Sequence, residues 1–277
     1  MNKRIYILLS FLFSFSYFFA EDSISNDVVQ NSLDSTQVKA KKKAVDDLYV
    51  LKQEADNAFA KEEYEQAVNL YSKIAKQTES ADICYNLGCS YYRLDNMAQS
   101  VLWFERAYLL NPGDEDTRHN LELARSKTID KIIPRHEMFF VTIYRNLVNM
   151  MSLHSWSLTC LVLFILALIA FSLYLYNNRT AIRKISFFFA FILILLAVLG
   201  NVCAFQQRKW AQNRDAGIIM QSAVTVKSTP SDNGNDLFVI HEGTKIKIHD
   251  NSLKDWCEIQ IADGKVGWIQ KKTFEII

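Results

Sequence analysis

Two long apolar stretches without a charged residue constrain this chain most: Trp156–Tyr176 and Ile185–Phe205, each 21 residues long. A helix rises about 1.5 Å per residue, so each stretch is long enough to cross a hydrocarbon layer of about 30 Å. The hydrophobicity is continuous rather than alternating, which favours helices over the strands of a membrane barrel. Two buried helices of a soluble protein are the weaker interpretation, because soluble helices of this length rarely lack a charged face.

The short segment 177–184, NNRTAIRK, joins the two stretches and predicts a tight transmembrane hairpin. It carries Arg179, Arg183 and Lys184. Basic residues in a short loop favour the cytoplasmic side of a membrane. The regions that flank the hairpin are therefore predicted to lie together on the opposite side.

The first 20 residues have the pattern of a secretory signal. A basic start is followed by the almost wholly apolar stretch Ile5–Phe19, and the small Ala20 precedes the acidic Glu21. Phe18 is larger than usual three positions before a cut after Ala20, so an uncleaved signal anchor is the alternative. In both cases the chain is exported from Glu21. The sequence thus predicts a multi-pass protein of the bacterial inner (cytoplasmic) membrane, with both large domains in the periplasm.

Composition and motifs point away from catalysis. A net charge of +1 gives no reason to expect nucleic-acid binding. The five cysteines and five histidines are irregularly spaced and form neither a CxxC pair nor a zinc pattern. The chain contains no P-loop, dinucleotide-binding glycine motif, GxSxG or HExxH. No catalytic, cofactor-binding or metal-binding residue is therefore identified, and a non-enzymatic protein is predicted.

Cys160 and Cys203 lie at similar depth, counted from the outer ends of the two apolar stretches. A disulfide or redox-sensitive pair is conceivable in an oxidising compartment. The favoured interpretation is two small apolar residues at a helix interface. Bridging requires Cα atoms within about 7 Å, and the sequence does not fix the rotation of each helix that would bring the two cysteines face to face.

Two segments outside the hairpin are predicted as connectors. Residues 21–45 are rich in Ser, Asp, Asn and Gln and end in a basic run, which is typical of a flexible tether. Residues 206–222 begin with a polar exit from the second apolar stretch and are predicted as a linker.

Residues 46–130 contain apolar residues at helical spacing and an internal repeat. Three pairs of positions recur 33 or 34 residues apart: Ala67 and Ser100, Tyr71 and Phe104, and Asn86-Leu87 and Asn120-Leu121. A period near 34 residues, with two helices in each repeat, is typical of tetratricopeptide repeats.

This segment resembles the tetratricopeptide repeat family. The second block carries the family pattern at six positions: Leu87, Gly88, Tyr91, Phe104, Ala107 and Pro112. Ser100 stands where the family usually has Ala, the first block lacks the Leu-Gly pair, and the third has only a first helix. The resemblance implies a short all-α solenoid of two repeats and a cap.

Asn86 and Asn120 occupy the same position on successive first helices. In the resembled family that position faces the concave groove, where an amide can both donate to and accept from an extended peptide. The two residues are therefore candidate peptide-groove residues. The alternative is a pair of exposed polar side chains without a ligand.

Residues 131–155 predict an amphipathic helix. One stripe carries its large apolar side chains: Phe139, Phe140, Ile143, Leu147, Met150 and Met151. The stripe either lies in the membrane interface or packs on the repeat domain, and the pattern fits both.

Alternation of apolar and polar residues predicts strands around Val224–Val226 and Ile246–Ile248. Trp256–Ala262 and Lys265–Gln270 predict a hairpin closed by Asp263-Gly264, since Asp-Gly suits a two-residue type I′ turn.

Residues 223–277 resemble the bacterial SH3 domain, a small all-β barrel. The residues that carry the resemblance are Ala223-Val224, Ser228–Ser231, His241–Thr244, Asp255-Trp256 and Asp263–Ile269. Trp256 and Trp268 are candidates for a ligand face that binds a peptide or glycan. Core positions are the favoured interpretation for both, because so small a barrel needs large aromatic side chains inside.

The order of these parts resembles the BatE family, the E component of the Bacteroides aerotolerance operon. The resemblance implies membrane-anchored partners with von Willebrand A domains, a MoxR-type ATPase nearby and a link to oxidative stress. The sequence as a whole predicts a multi-domain, non-enzymatic scaffold in contact with the lipid bilayer. The alternative is a cell-envelope sensor or anchor that binds peptidoglycan through its SH3-like domain.

Overall fold

The computed structural model describes residues 35–132 and 138–277, with side chains from residue 46 onward. The described chain forms a helical repeat region, two long apolar helices and a C-terminal antiparallel sheet. Its helices are α1 Ser35–Ala60, α2 Tyr64–Ala75, α3 Ala81–Arg93, α4 Met97–Leu110, α5 Glu115–Lys127, α6 Phe139–Val148, α7 Leu153–Tyr176 and α8 Thr180–Gln212. Its strands are β1 Ala216–Ile219, β2 Ala223–Lys227, β3 Asp236–His241, β4 Lys245–Asp250, β5 Trp256–Gln260, β6 Val266–Gln270 and β7 Phe274–Ile276.

The chain divides into two compact units. One contains Leu51–Ile165 and Ile192–Ile277, which covers the repeat region, the sheet and the adjoining parts of the apolar helices. The other contains Leu166–Phe191, around the turn between α7 and α8, together with the first part of α1 up to Val50. The repeat region and the sheet therefore belong to the same unit.

Helices α1 to α5 form the repeat region as two helix pairs and one further helix. Small residues bring the helices together, since Ala55, Ala67 and Ala107 are fully buried. Side-chain caps begin the later helices: Asn96 Oδ1 accepts from Gln99 N at 3.1 Å, and Asp114 Oδ2 accepts from Thr117 N at 3.0 Å. Both caps satisfy backbone donors that a helix N-terminus leaves without partners.

Helix α1 begins at Ser35, earlier than the helical pattern predicted from Asp46. Residues 35–45 were predicted as part of a flexible tether, but they contain four Lys, two Ala and one Gln, residue types that favour helix. The rest of that tether, 21–34, and the predicted signal, 1–20, lie outside the described residues.

Helices α7 and α8 are long and apolar enough to cross a membrane by length and composition. They exceed the two predicted stretches at their outer ends, and the turn between them shortens to 177–179 because α8 already begins at Thr180. Near this turn the rings of Tyr174 and Phe187 pack at 5.5 Å. At the other end Cys160 Sγ contacts Ala197 O at 3.6 Å, so the two helices run back along each other.

Helix α6 keeps its apolar stripe exposed. Phe139 is 79% exposed and Leu147 48%, so the part of the predicted stripe that lies on α6 is not packed on the repeat region, which was one of the two predicted alternatives. Met151, the last residue of the predicted stripe, lies beyond α6 and packs on the cluster around Trp156. The helix is held from its other side: Val148 is fully buried in a cluster with Trp156 and Cys203. Trp156 Nε1 also donates to Val148 O at 3.0 Å.

The C-terminal sheet has seven antiparallel strands in the order β3-β2-β6-β5-β4-β1-β7, and it is not closed. The predicted alternation in β2 and β4 is confirmed, since Val224, Val226 and Ile246 are buried. The sheet begins at Ala216 in β1, inside the predicted linker 206–222, and α8 fills the start of that segment. β1 pairs with both β4 and β7 and is therefore an internal strand.

The turn between β5 and β6 differs from the predicted two-residue turn. Gly264 N donates to Ile261 O at 2.9 Å, and Ile261 N donates to Lys265 O at 3.1 Å. Gly264 has a φ of +94°, whereas Asp263 is not among the residues with positive φ. A type I′ turn needs positive φ at both central residues, so the prediction was wrong and the loop is a three-residue one with glycine last.

The sheet packs directly on the end of the repeat region. A buried cluster joins Val101 and Leu102 of α4, Leu121 of α5, and Ile218 and Ile277 of the sheet. Ile218 is fully buried there. The sheet therefore completes a buried cluster to which both α4 and α5 contribute.

Candidate interaction surfaces

The two predicted groove asparagines are half-buried and both lie against tyrosines. Asn120 Nδ2 on α5 donates to the hydroxyl of Tyr85 on α3 at 2.8 Å. Burial raises the pKa of Tyr85 to about 12, so the phenol stays protonated. One donor of the Asn120 amide is thus engaged within the repeat region, which leaves its second donor and its oxygen for a ligand.

Asn86 lies next to the Tyr71 hydroxyl, which belongs to a network of polar side chains in the first repeat. The Tyr71 hydroxyl donates to Asp56 at 2.6 Å, and Lys52 pairs with the same carboxylate at 2.9 Å. Burial and the Asp56 carboxylate raise the pKa of Tyr71, while the Asn86 amide acts in the opposite direction. The two asparagines are therefore oriented by neighbouring side chains in equivalent ways.

The pattern residues of the second repeat form its interior. Leu87, Phe104 and Ala107 are almost completely buried. A Cβ at Gly88 would lie 2.6 Å from Phe104 Cδ1, so only glycine lets α3 and α4 approach this closely. Ser100, which departs from the family pattern, is fully buried, and its hydroxyl donates to Gly88 O at 2.9 Å.

The remaining predicted pattern residues are Tyr91, which is half-buried, and Pro112, which is buried just after α4. Burial raises the pKa of Tyr91, and the Glu275 carboxylate of β7 contributes in the same direction. Tyr91 therefore lies close enough to Glu275 of the sheet for the two groups to interact electrostatically.

Trp256 and Trp268 lie outside the sheet core, contrary to the favoured prediction. In β5 and β6 the buried residues are Cys257, Ile259 and Ile269, and successive side chains of a strand point to opposite faces. Both tryptophans therefore share the other face, where they are half-buried. Trp268 pairs with Glu258 on β5 and with Lys227 on β2, so charged groups flank the aromatic surface.

A buried carboxylate joins the repeat region to the sheet. Glu105 of α4 is 2% exposed, pairs with Arg125 of α5, and accepts from Lys245 Nζ of β4 at 2.7 Å. Burial alone would raise the pKa of Glu105, but the charges of Lys245 and Arg125 outweigh it and hold that pKa below its usual range.

A second carboxylate makes the same connection just beyond the C-terminal end of α5, close in sequence to Arg125. Asp130 accepts from His241 N, from Thr244 Oγ1 and from His241 Nδ1, at 2.7, 2.7 and 2.8 Å. Burial raises the pKa of Asp130, but these hydrogen bonds more than compensate and lower it overall. The turn that links β3 to β4 is thereby fixed to the end of the repeat region.

Sequence reasoning did not identify Glu105 or Asp130, because a charged side chain is usually solvated. The only local signal is that Glu105 lies next to Phe104 on the buried face of α4. Its partner Lys245 is 140 positions away in the sequence, so the pairing emerges only from the tertiary structure.

The described residues offer little for metal or thiol chemistry. Within 35–132 and 138–277 no group of three His, Cys, Asp or Glu side chains is placed to hold a metal ion. Burial raises the pKa of Cys84 to about 11, and the thiols of Cys89 and Cys257 shift in the same direction. Cys160 and Cys203 are free thiols in this structure.

A comparison with known families supports the reading of the repeat region. Residues 81–114, from the start of α3 to just after α4, match the tetratricopeptide repeat. The predicted second repeat is therefore confirmed, and repeats of this kind typically serve as protein-interaction modules. No curated protein sequence matches the chain.

Proposed function

We propose that this protein is a non-enzymatic scaffold of the bacterial inner membrane, which presents its repeat region and its sheet to the periplasm. The observation that carries the proposal is a tetratricopeptide repeat at residues 81–114, followed in the same chain by two long apolar helices. A short solenoid acts by binding along its surface, and a hairpin in the bilayer would confine it near membrane-anchored partners.

The exposure of the apolar helices supports membrane insertion. Only 22% of the most apolar 18-residue segment of α7 is buried, and only 28% of the corresponding segment of α8. Large side chains such as Phe188 and Leu199 are more than half exposed along these helices. Core helices of a soluble protein would be mostly buried, whereas lipid solvates such surfaces.

Topology is tested with reporter fusions. Alkaline phosphatase fused after Ile277 should be active, because the hairpin returns the chain to the periplasm. The same enzyme inserted after Thr180 should be inactive, since the basic turn is retained in the cytoplasm. The reverse pattern of activities would refute the proposed orientation.

Partner binding is assigned to the concave face that carries Asn86 and Asn120. By resemblance to the BatE family, the leading partners are membrane-anchored proteins with von Willebrand A domains, in a system that responds to oxidative stress. Replacing both asparagines by Ala should weaken co-purification of such a partner from solubilised membranes. The cost is about 1–3 kcal/mol if each amide leaves a buried partner group unpaired.

His119→Ala is the matched control, because His119 is exposed on α5 next to Asn120. It should leave the amount of co-purified partner unchanged. If the double asparagine variant retains the partner at wild-type strength while remaining folded, the concave face is not the binding surface.

The face that carries Trp256 and Trp268 favours a second candidate function, binding of peptidoglycan by an SH3-like sheet. Two half-buried aromatic rings flanked by polar groups suit a glycan, whose apolar faces stack on such rings. The detergent-purified full chain should then sediment with isolated sacculi. Trp268→Ala should abolish sedimentation, and Leu253→Ala, at a nearby exposed position, should not.

A further inference from the structure

A half-open cleft of about 1190 Å³ lies where the repeat region, α6, the end of α8 and the sheet meet. All of its walls belong to the compact unit that contains the repeats and the sheet. Neither the two groove asparagines nor the two tryptophans line it. Its walls combine three features that select a ligand: depth along α8, charge and an unsatisfied amide.

The first feature is depth. Gln207 and Trp210 of α8 line the cleft, just after the uncharged stretch that ends at Phe205. At about 1.5 Å per residue, Trp210 lies about 7.5 Å beyond Phe205 along the helix. The headgroup region extends roughly 5–8 Å from the hydrocarbon core on each side, and Trp is enriched there. Given the proposed membrane insertion, the cleft opens among lipid headgroups.

The second feature is charge. Six basic residues line the cleft, Arg125, Lys131, Arg145, Arg214, Lys245 and Lys247, against three acidic ones, Glu105, Asp130 and Asp215. The acidic groups are already occupied: Glu105 by Arg125 and Lys245, Asp130 by His241 and Thr244, and Asp215 by the Asn213 amide. The basic groups are largely engaged too: Arg125 and Lys245 by Glu105, Arg214 by Glu79, and Lys131 by backbone carbonyls. The lining still carries six basic against three acidic side chains, so its net charge is positive, which suits a phosphate group.

The third feature is the amide of Gln207, which is 4% exposed. Its Nε2 donates to Met151 O at 2.9 Å. Because that carbonyl can only accept, the amide nitrogen must face it and the orientation is fixed. Oε1 has no hydrogen-bond partner, and an unsatisfied buried acceptor costs free energy that a ligand donor would recover.

We propose that this cleft binds the headgroup of an anionic glycerol phospholipid of the phosphatidylglycerol type. The phosphodiester matches the basic excess, and a glycerol hydroxyl supplies the donor that Gln207 lacks. The half-buried apolar side chains Leu109 and Ile132 in the same walls accommodate the start of an acyl chain. The lipid would join the repeat region and the sheet to the membrane at a defined depth.

The test uses the full chain in a neutral maltoside detergent, with lipid adducts counted by native mass spectrometry. Dioctanoyl phosphatidylglycerol should bind saturably with one lipid per chain. Dioctanoyl phosphatidylcholine should bind at least about tenfold more weakly, which corresponds to about 1.4 kcal/mol. Equal binding of the two lipids would overturn the proposal, and so would effective competition by inorganic phosphate, which would indicate a small-anion site.

Variants locate the site. Arg145→Gln combined with Lys247→Gln should weaken phosphatidylglycerol binding at least about tenfold. Lys254→Gln combined with Lys272→Gln removes the same charge at exposed positions outside the cleft and should change nothing. If both pairs reduce binding equally, the lipid responds to overall charge and the cleft is not its site.

Gln207→Met tests the hydroxyl contact. It should reduce the affinity for phosphatidylglycerol to that for phosphatidylmethanol, which has the same charge and no hydroxyl group. Unchanged discrimination between these two lipids would remove Gln207 from the proposal.

Because the inference rests on the proposed membrane insertion, alkaline extraction of cell membranes tests insertion separately from lipid binding in the cleft. The Arg145 and Lys247 variant should stay in the membrane pellet as the wild type does, since the hairpin holds both. Release of the wild type would refute insertion, whereas retention with no lipid selectivity would refute the cleft alone.

Discussion

Glu105 is the one charged side chain in the described part of the chain that is almost completely buried. Its two cationic partners, Arg125 and Lys245, are about 43–44% exposed, so the carboxylate carries most of the desolvation cost. Such a group stabilises a fold only while both partners are present. The consequence is a strong dependence of the repeat–sheet junction on one residue.

Glu105→Gln should lower the free energy of unfolding by about 2–3 kcal/mol, below the range for fully buried pairs because the freed cations can reach water. Thermal unfolding of the purified full chain measures it. Glu115→Gln is the control, since Glu115 is 88% exposed and pairs with Arg118 at only 3.6 Å. Similar losses from both substitutions would show that the junction does not depend on Glu105.

The difference in the free energy of unfolding between the wild type and Glu105→Gln should also depend on pH. The pKa of Glu105 is lower in the folded protein than its usual value of about 4.3 in an unfolded chain. A lowered folded pKa gives stability that is fully present above the unfolded pKa and is lost as the pH falls through the folded pKa. The difference between wild type and Glu105→Gln should stay constant from pH 7 to about 5 and shrink below about pH 4.

Gly88 gives a second prediction at the scale of single residues. Gly88→Val should destabilise the repeat region by roughly 1–3 kcal/mol or unfold it, because the new side chain would overlap the Phe104 ring. Adding Phe104→Leu to Gly88→Val should recover part of the lost stability, because the smaller side chain leaves room for the valine. Circular dichroism during denaturation reports both, and a double variant no more stable than Gly88→Val would contradict the packing argument.

These residues differ in how far the sequence predicts them. Gly88 and Phe104 were recognised because a repeat motif records packing between helices that are close in the chain. Ser100 broke the motif, and its hydrogen bond to Gly88 O explains why a buried hydroxyl is tolerated. Trp256 and Trp268 were assigned to the core on size, but the alternation along β5 and β6 places Cys257 and Ile269 there instead.

Among the elements, α6 has the most unusual surface. Its outer side exposes Phe139, Phe140 and Ile143, while its inner side is fixed by Val148 and by the contact of Tyr144 with Trp210 at 6.4 Å. An apolar stripe on a helix next to two long apolar helices fits a position in the membrane interface. The sequence predicted the stripe but left two possible surfaces for it, because periodicity does not reveal what a face contacts.

An environment-sensitive probe tests the position of α6. In reconstituted vesicles, bimane attached to Ile143→Cys should be quenched by lipids that carry a nitroxide at the headgroup or upper acyl chain. The same probe on Lys254→Cys, at an exposed position of the sheet, should be quenched much less. Equal quenching at the two positions would show that the stripe does not lie in the interface.

β1 shows why short elements escape sequence analysis. It has only four residues, too few to establish alternation, and three residues separate it from the end of α8. It nevertheless pairs with β4 and β7 and places Ile218 against the helices. The turn after β5 was misjudged for a related reason. Asp-Gly suits two turn types, and the choice between them depends on strand register, which the dipeptide does not encode.

At the scale of the whole chain, the sheet completes the repeat region. The sequence predicted a repeat unit and a C-terminal β domain separated by the hairpin, and it gave no sign that they touch. In the structure the junction combines the apolar cluster around Ile218 with the carboxylates of Glu105 and Asp130. Arg106 adds an ion pair to Glu275 at 3.0 Å and a hydrogen bond to Ile276 O at 2.6 Å. Partner binding and sheet stability should therefore be coupled.

The coupling is tested by two matched deletions of one methylene group, Ile218→Val at the junction and Ile259→Val in the sheet core. Both residues are fully buried, so each change should cost about 0.5–1.5 kcal/mol. Hydrogen exchange of the full chain should then distinguish them. Ile218→Val should accelerate exchange in α5 as well as in the sheet, because Ile218 belongs to the same buried cluster as Leu121 and Ala124 of that helix. Ile259→Val should act mainly within the sheet. If α5 exchanges at the wild-type rate in Ile218→Val while the sheet is loosened, then the sheet does not serve as the cap of the repeats and α5 is stable through its contacts with α4 alone.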